Sequence, residues 1–222
     1  MKDGDFINIE FTGRIKDTDE VFDSTSEEMA KLAGIFNPKA NYGPIAIIVG
    51  ANQVIPGLEN AIREMNVSDK KKVEITPENG FGMKNPDMVK LLPMSTFKDS
   101  NIDPQPGRVV TFNEFQGKIL SVDGGRVKVD FNHPLAGKVI EYEIEIKDQI
   151  TEKDQKIKAV VRYFTGIKYD DFTATVNDTE TSINIQKFDF PNQMKQNIAD
   201  SIMKWIDGIV KVSFVDIFEK KN

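Results

Sequence analysis

Residues 54–65 read VIPGLENAIREM, and in them Leu58, Ala61, Ile62 and Met65 recur at i, i+3, i+4 and i+7. That spacing gives a short helix one apolar face. Pro56 and Gly57 stand just ahead of the run and set its start. The stretches on either side read as strands, so the pattern is that of an α+β domain in which a sheet accompanies one short helix.

Upstream, DFINIEFTGRI (5–15) places Ile7, Ile9 and Phe11 at every second position, the period of a half-buried strand. Gly13 is expected to weaken or end it. IAIIVG (45–50) is the next strand, and the intervening SEEMAKLAGIFNPKANYGP predicts a short helix from Glu27 to Leu32 followed by a peripheral loop. Downstream, KKKVEITPE predicts a strand through Val73 and Ile75, and NGFG a turn. Much later VIEYEIEI (139–146) sets Ile140, Tyr142, Ile144 and Ile146 against Glu141, Glu143 and Glu145, apolar on one face and anionic on the other.

Between these outer strands lies a segment with different habits. MKNPDMVKLLPMSTFKDSNIDPQPG carries four prolines and reads as loop-rich; RVVTF, GKILSV and RVKVDF then read as three strands, the last two joined by a hairpin at Asp123-Gly124-Gly125. A structureless connection of that length is improbable, so residues 84–130 are expected to form a small, mostly β domain inserted into the first domain, residues 1–83 with 131–150. After Ile150 the polar run TEKDQK marks a boundary. Residues 151–222 predict a small α/β domain: IKAVVRYF helical or extended, a hairpin through FTATV and TSINI, a helix over PNQMKQNIADSIMKWI, and a last strand KVSFVDIF, with the helices on an antiparallel sheet.

Composition narrows the chemistry. The 222-residue chain has a net charge of −6 and no cysteine, which excludes disulfides, thiol nucleophiles and thiolate metal sites. Residues 1–83 with 131–150 hold 18 acidic and 11 basic side chains, while the other two segments are near neutral. A protein that grips phosphate backbones needs the opposite charge, so nucleic acid is not expected as a partner. His133 is the only histidine; with no cysteine and no calcium-type loop, no metal and no cofactor are expected. The charge-interrupted apolar runs predict neither a leader nor a membrane span, and a cytoplasmic protein.

What remains is an ordered set of apolar residues beside turns: FTG at 11, VFDST at 21, VIPGLENAIREM at 54, VEITPE at 73, GFG at 80, FNHPLAG at 131 and YEIEI at 142. In that order the motifs resemble the FKBP-type peptidyl-prolyl isomerases. The insertion ahead of FNHPLAG is similar to the SlyD branch, where an insert-in-flap chaperone domain replaces a loop, and the added tail resembles long archaeal members with a C-terminal dimerisation domain. The resemblance implies an antiparallel half-barrel sheet around a short helix. It implies a proline pocket lined by Phe11, Phe22, Asp23, Val54, Ile55, Leu58, Phe81 and Tyr142, with Leu135 and Ala136 in a wall made by the His133 loop and the Ile55 N–H receiving a substrate carbonyl. His133 would orient that wall or touch substrate. Asp23 would polarise the twisting amide or serve as a turn residue binding its own backbone.

Leu58, Phe11 and Phe81 stand where familiar single-domain members carry Trp, Tyr and Tyr, and each substitution removes a polar handle. Weak binding of the immunosuppressant macrolides is expected as a result. Isomerisation needs no nucleophile: a water-poor slot favours the twisted amide, which has lost its charge separation, over the resonant ground state. Leu91, Leu92, Met94, Phe97, Val109, Val110 and Phe112 of the insert are expected to capture unfolded chains containing Xaa-Pro bonds. The tail is expected to form a homodimer. The competing reading is a holdase or interaction module that kept the fold without catalysis.

Overall fold

The computed structural model describes residues 1–112, 115–185, 188 and 190–216. It divides into two compact units, one made of Met1–Glu74 with Glu141–Asn222, the other of Ile75–Ile140.

In the first unit β1 (Phe6–Ile15) does not stop at Gly13. It pairs antiparallel with β2 (Val21–Ser24), and a register shift between Gly13 and Arg14 lets it run on to Ile15. Ser26 caps α1 (Glu27–Leu32), its hydroxyl accepting the Met29 N–H. β3 (Ile45–Ile48) pairs with the first half of β1, from Phe6 opposite Ile48 to Ile9 opposite Ile45. α2 (Pro56–Arg63) starts at its proline and buries Leu58, Ala61 and Ile62, with Met65 buried just beyond its end. β4 (Lys70–Ile75) follows.

The second unit contains β5 (Val89–Pro93), α3 (Met94–Asp99), β6 (Val109–Phe112), β7 (Phe115–Asp123) and β8 (Arg126–Asp130), in an antiparallel sheet of order β5-β8-β7-β6. Asp123 opposes Arg126 across Gly124-Gly125, whose φ angles of 53° and 77° are those the tight hairpin demands. Phe97, Val110, Ile119, Val127 and Val129 form its core. The proline-rich stretch expected to be loop holds both β5 and α3. Pro93 ends the strand and stands at the N-cap of the helix, an arrangement that its fixed φ favours and that periodicity over five or six residues does not reveal.

The chain returns to the first unit as β9 (Ile140–Ile150), which completes a sheet of order β2-β1-β9-β4 with β3 also on β1. α4 (Lys153–Thr165) begins inside TEKDQK, so that polar run is a helix start; IKAVVRYF is helical, with Ile157, Val160 and Val161 buried. β10 (Phe172–Asn177) and β11 (Glu180–Ile185) pair antiparallel. α5 (Asn192–Trp205) then carries the chain across, so β12 (Lys211–Val215) joins β11 in parallel instead of in the expected antiparallel sense. Ile217 and Phe218, expected to continue that strand, lie outside the described residues. The apolar core of this region includes Ile157, Val161, Ile183, Ile198 and Ile202 together with Phe6 of β1 and Ile48 of β3. The C-terminal elements thus share a core with the first sheet. Among the described residues no helix is long and apolar enough to cross a membrane.

Candidate active site

The VFDST motif is fastened to β1 by Thr25. Its hydroxyl accepts the Phe11 N–H at 2.9 Å, its own N–H donates to the Phe11 carbonyl at 3.0 Å, and the hydroxyls of Thr12 and Ser24 lie 3.0 Å apart. Phe11 and Phe22 are thereby held on adjacent strands. Each meets the Tyr142 ring edge-on, with centroids 5.5 and 5.7 Å away and interplanar angles of 68° and 85°, the geometry that ring quadrupoles favour. Gly13 makes this approach possible: a Cβ there would lie 2.8 Å from Cζ of Phe22 and 2.9 Å from the Tyr142 ring.

Asp23 adjoins this cluster. It retains exposed surface, yet the protein mass around its carboxyl desolvates it enough to raise its pKa, against the lowering effect of a hydrogen bond with the Ser24 backbone. The Tyr142 phenol is pushed well up, first by burial and then by the negative charge of Asp23. It stays a protonated donor throughout the physiological range.

Phe11, Phe22 and Asp23 line a cavity of about 290 Å³, at the small end of ligand-binding clefts (~300–1,000 Å³). It is lined as well by the loop after α1, through Ile35, Asn37, Ala40, Asn41 and Tyr42, with Ile45 of β3. The sequence suggested that this loop was peripheral; it borders the site. The rings of Phe36 and Tyr42 stack at 5.5 Å, and the Tyr42 hydroxyl accepts the Asn37 N–H at 2.9 Å. The remaining first-unit candidates stand at the start of α2. Val54 and Ile55 are half-buried; Ile55 is the N-cap, its carbonyl accepting from Leu58 and Glu59 while its own N–H lies outside the helical ladder. Leu58 is fully buried.

Phe81, His133, Leu135 and Ala136 belong to the second unit. His133 stacks flat on Phe81, centroids 4.6 Å apart. Its Nδ1 accepts the Leu135 N–H at 3.2 Å, and its carbonyl accepts the Ala136 N–H at 2.9 Å. Leu135 and Ala136 are consequently turned inward and buried, and Gly137, at φ 75°, donates to the Gly82 carbonyl at 2.8 Å. The loop before it is anchored by Asp130, which accepts from the Asn132 backbone, the Asn132 amide and Lys84 at 2.9, 2.7 and 3.0 Å.

Residues 1–98 match the FKBP-type peptidyl-prolyl cis-trans isomerase family, and residues 90–135 match the family described as FKBP26, IF domain. The short-type peptidyl-prolyl cis-trans isomerase of Methanocaldococcus jannaschii is 35% identical over 148 residues, covering 67% of this chain and 93% of that protein. The chain belongs to the FKBP-type peptidyl-prolyl cis-trans isomerases. A probable FKBP-type 16 kDa isomerase of Pseudomonas fluorescens is 39% identical over 110 residues, 47% of this chain and 72% of that protein. SlyD of Helicobacter pylori is 28% identical over 106 residues, 46% and 57% of the two chains.

As a member of that family the chain is an isomerase of the Xaa-Pro bond, and an aromatic cluster without a nucleophile suits such a reaction. In the segment matching the FKBP26 IF domain, Phe97 and Val110 are enclosed in the core, with Leu92, Met94 and Phe112 packed against it. Leu91 and Val109 are 55% and 60% exposed, alternating on the two edge strands with half-buried Leu92 and buried Val110 respectively. Phe115 and Leu120, which the sequence did not single out, are exposed as well. Leu120 sits at the register shift in β7, a feature that alternation alone does not disclose.

Proposed function

We propose that the chain is a folding isomerase of the cytoplasm in which proline turnover and capture of unfolded polypeptide belong to different residues. The proline ring enters the cavity beside Phe11, Phe22 and Asp23, and Tyr142 stands behind the two rings as their support. The observation that carries this reading is the edge-on packing of Phe11 and Phe22 on Tyr142 over Gly13, which makes a rigid apolar surface with one carboxylate at its rim. Such a surface disfavours the charge-separated planar amide relative to the twisted one, whose barrier in water is roughly 18–20 kcal/mol. Val54, Ile55 and Leu58 complete the set of first-unit pocket residues in this proposal, and within the second unit His133 orients the Leu135–Ala136 turn. Leu58 offers no polar handle, which supports weak macrolide binding.

Client capture falls to the exposed apolar residues Leu91, Val109, Phe115 and Leu120, with Phe97 and Val110 holding the sheet that displays them. β5 and β6 are the edge strands of that sheet, and edge backbone can pair with an extended chain. Homodimerisation is assigned to the C-terminal region, supported by Val210 and Val215, which remain exposed beside and on β12. A protease-free isomerisation assay on a short Xaa-Pro peptide tests the catalytic part. Phe22→Ala should lower kcat/KM by roughly tenfold or more, about 1.4 kcal/mol of transition-state stabilisation; unchanged turnover would reject this pocket.

A further inference from the structure

The loop that lines the cavity together with Asp23 is tethered at a point far from it in sequence. The Asn41 side-chain amide donates to the Gly166 carbonyl at 2.9 Å, across 125 residues of chain. Gly166 is the left-handed residue closing α4, at φ 69°, with its own N–H bonded to the Arg162 carbonyl. Carbonyls at a helix C-terminus lack intrahelical partners, so the Asn41 amide meets a real vacancy in hydrogen bonding. Asn41 and Ile45 each border two cavities: the one containing Phe22 and Asp23, and a second of about 220 Å³ lined by Ala159, Arg162, Tyr163, Gly166 and Tyr169 of the C-terminal region. Arg162, in that lining, lies over the Tyr169 ring at 4.7 Å.

The rest of the loop is closed on itself and on the site. Gly43 donates to the Thr25 carbonyl at 2.8 Å, Ala40 to the Asn37 carbonyl at 3.0 Å, and Ile35 to the Ala30 carbonyl at 3.0 Å. With the Phe36–Tyr42 stack, these bonds tie the segment to itself and to the end of β2. Between the Asn37 turn and the Gly43 anchor, the Asn41 amide bonds the loop to another element, the end of α4.

We propose that Asn41 is a positioning residue through which the C-terminal region sets the wall of the cavity that Asp23 lines, and thereby which residue beside the proline the isomerase accepts. This rests on the reading that the Phe22–Asp23 cavity takes the proline. The wall presents Ile35, Tyr42 and Ile45 as apolar surface with Asn37 and Asn41 as neutral polar groups. An apolar residue flanking the proline therefore gains contacts there, and a loosened wall gives them up.

The test compares kcat and KM for short peptides in which Ala, Leu, Phe or Lys precedes proline, using the full chain. Asn41→Ala and the near-isosteric Asn41→Asp both remove the donor. Each should reduce the Leu and Phe preference over Ala by threefold or more, through KM rather than kcat. Gly166→Ala introduces no new contact, since a Cβ there meets nothing within 4 Å, but strains the left-handed cap and displaces the carbonyl; it should shift the preference in the same direction. Equal changes for all four peptides, or none, in the Asn41 variants overturn the proposal. Phe22→Ala, run beside them, isolates the underlying reading: if it leaves every peptide unaffected, the pocket is misplaced, whereas a large Phe22 effect with no Asn41 effect rejects the tether alone. Thermal midpoints lowered without a change in peptide preference also count against positioning.

Discussion

The ring of Phe81 lies on the imidazole of His133 with 2° between their planes, and the same imidazole accepts the Leu135 N–H at Nδ1. The two interactions separate by substitution. His133→Asn retains a short-range acceptor for Leu135 and loses the stack, whereas His133→Phe retains the stack and loses the acceptor. Each single loss should cost about 0.5–1.5 kcal/mol. If the turn is what matters, Asn should keep isomerase activity within about twofold of wild type and Phe should lower it, as seen by kcat/KM on a short peptide. The reverse ranking would show that ring contact dominates.

Gly13 has no left-handed backbone to explain it, and its value lies in proximity. Gly13→Ala puts a methyl group into the Phe22 and Tyr142 rings, and overpacking of that kind costs roughly 1–3 kcal/mol. Both rings must tilt. The expected outcome is a lower thermal midpoint together with a loss of kcat/KM larger than that of Gly82→Ala, where the added Cβ meets nothing within 4 Å and only the left-handed backbone, at φ 78°, is strained. An alanine at 13 that leaves turnover intact would detach the aromatic cluster from catalysis.

These glycines also show where sequence reading ends. The helix at VIPGLENAIREM, the strands around Phe11 and Tyr142 and the Gly124-Gly125 hairpin each carry a local signal, a period or a turn dipeptide, and the structure places all of them as expected. Gly13 read as a strand breaker because its partner rings come from Phe22 and Tyr142, and long-range approach leaves no mark on local periodicity. The loop from Ile35 to Tyr42 read as peripheral for the same reason: it is organised by a ring stack and a hydroxyl bond, both invisible to alternation. Parallel pairing of β12 depended on α5 acting as a crossover, a matter of topology.

Exposed apolar residues of the inserted segment should matter to proteins and not to peptides. Replacing Leu91, Val109 and Phe115 together by Ser leaves the core residues Phe97 and Val110 in place. Catalysed refolding of a proline-limited protein should slow severalfold, while kcat/KM on a short peptide stays within twofold. Equal losses on both substrates would end the division between capture and turnover. Phe97→Ala is the contrasting variant: burial of that ring makes it a stability change of about 3–5 kcal/mol, read as unfolding of the Ile75–Ile140 unit.

Two carboxylates should report opposite signs in a pH series of stability. Burial raises Asp23 above its ordinary value, so the folded state favours its protonated form. Its penalty is absent below the unfolded pKa and develops as pH rises through the folded one. Asp23→Asn should therefore gain a little stability at neutral pH and none in acid. Asp130 is the reverse: burial alone would raise it, but the two Asn132 donors and Lys84 outweigh burial and hold it below the ordinary range. Its contribution is present above the unfolded pKa and disappears as pH falls through the folded one. Asp130→Asn should destabilise at neutral pH and converge on wild type in acid. Denaturant melts from pH 7 down to pH 3 check both, and parallel curves for the two variants would refute the assignment of opposite environments.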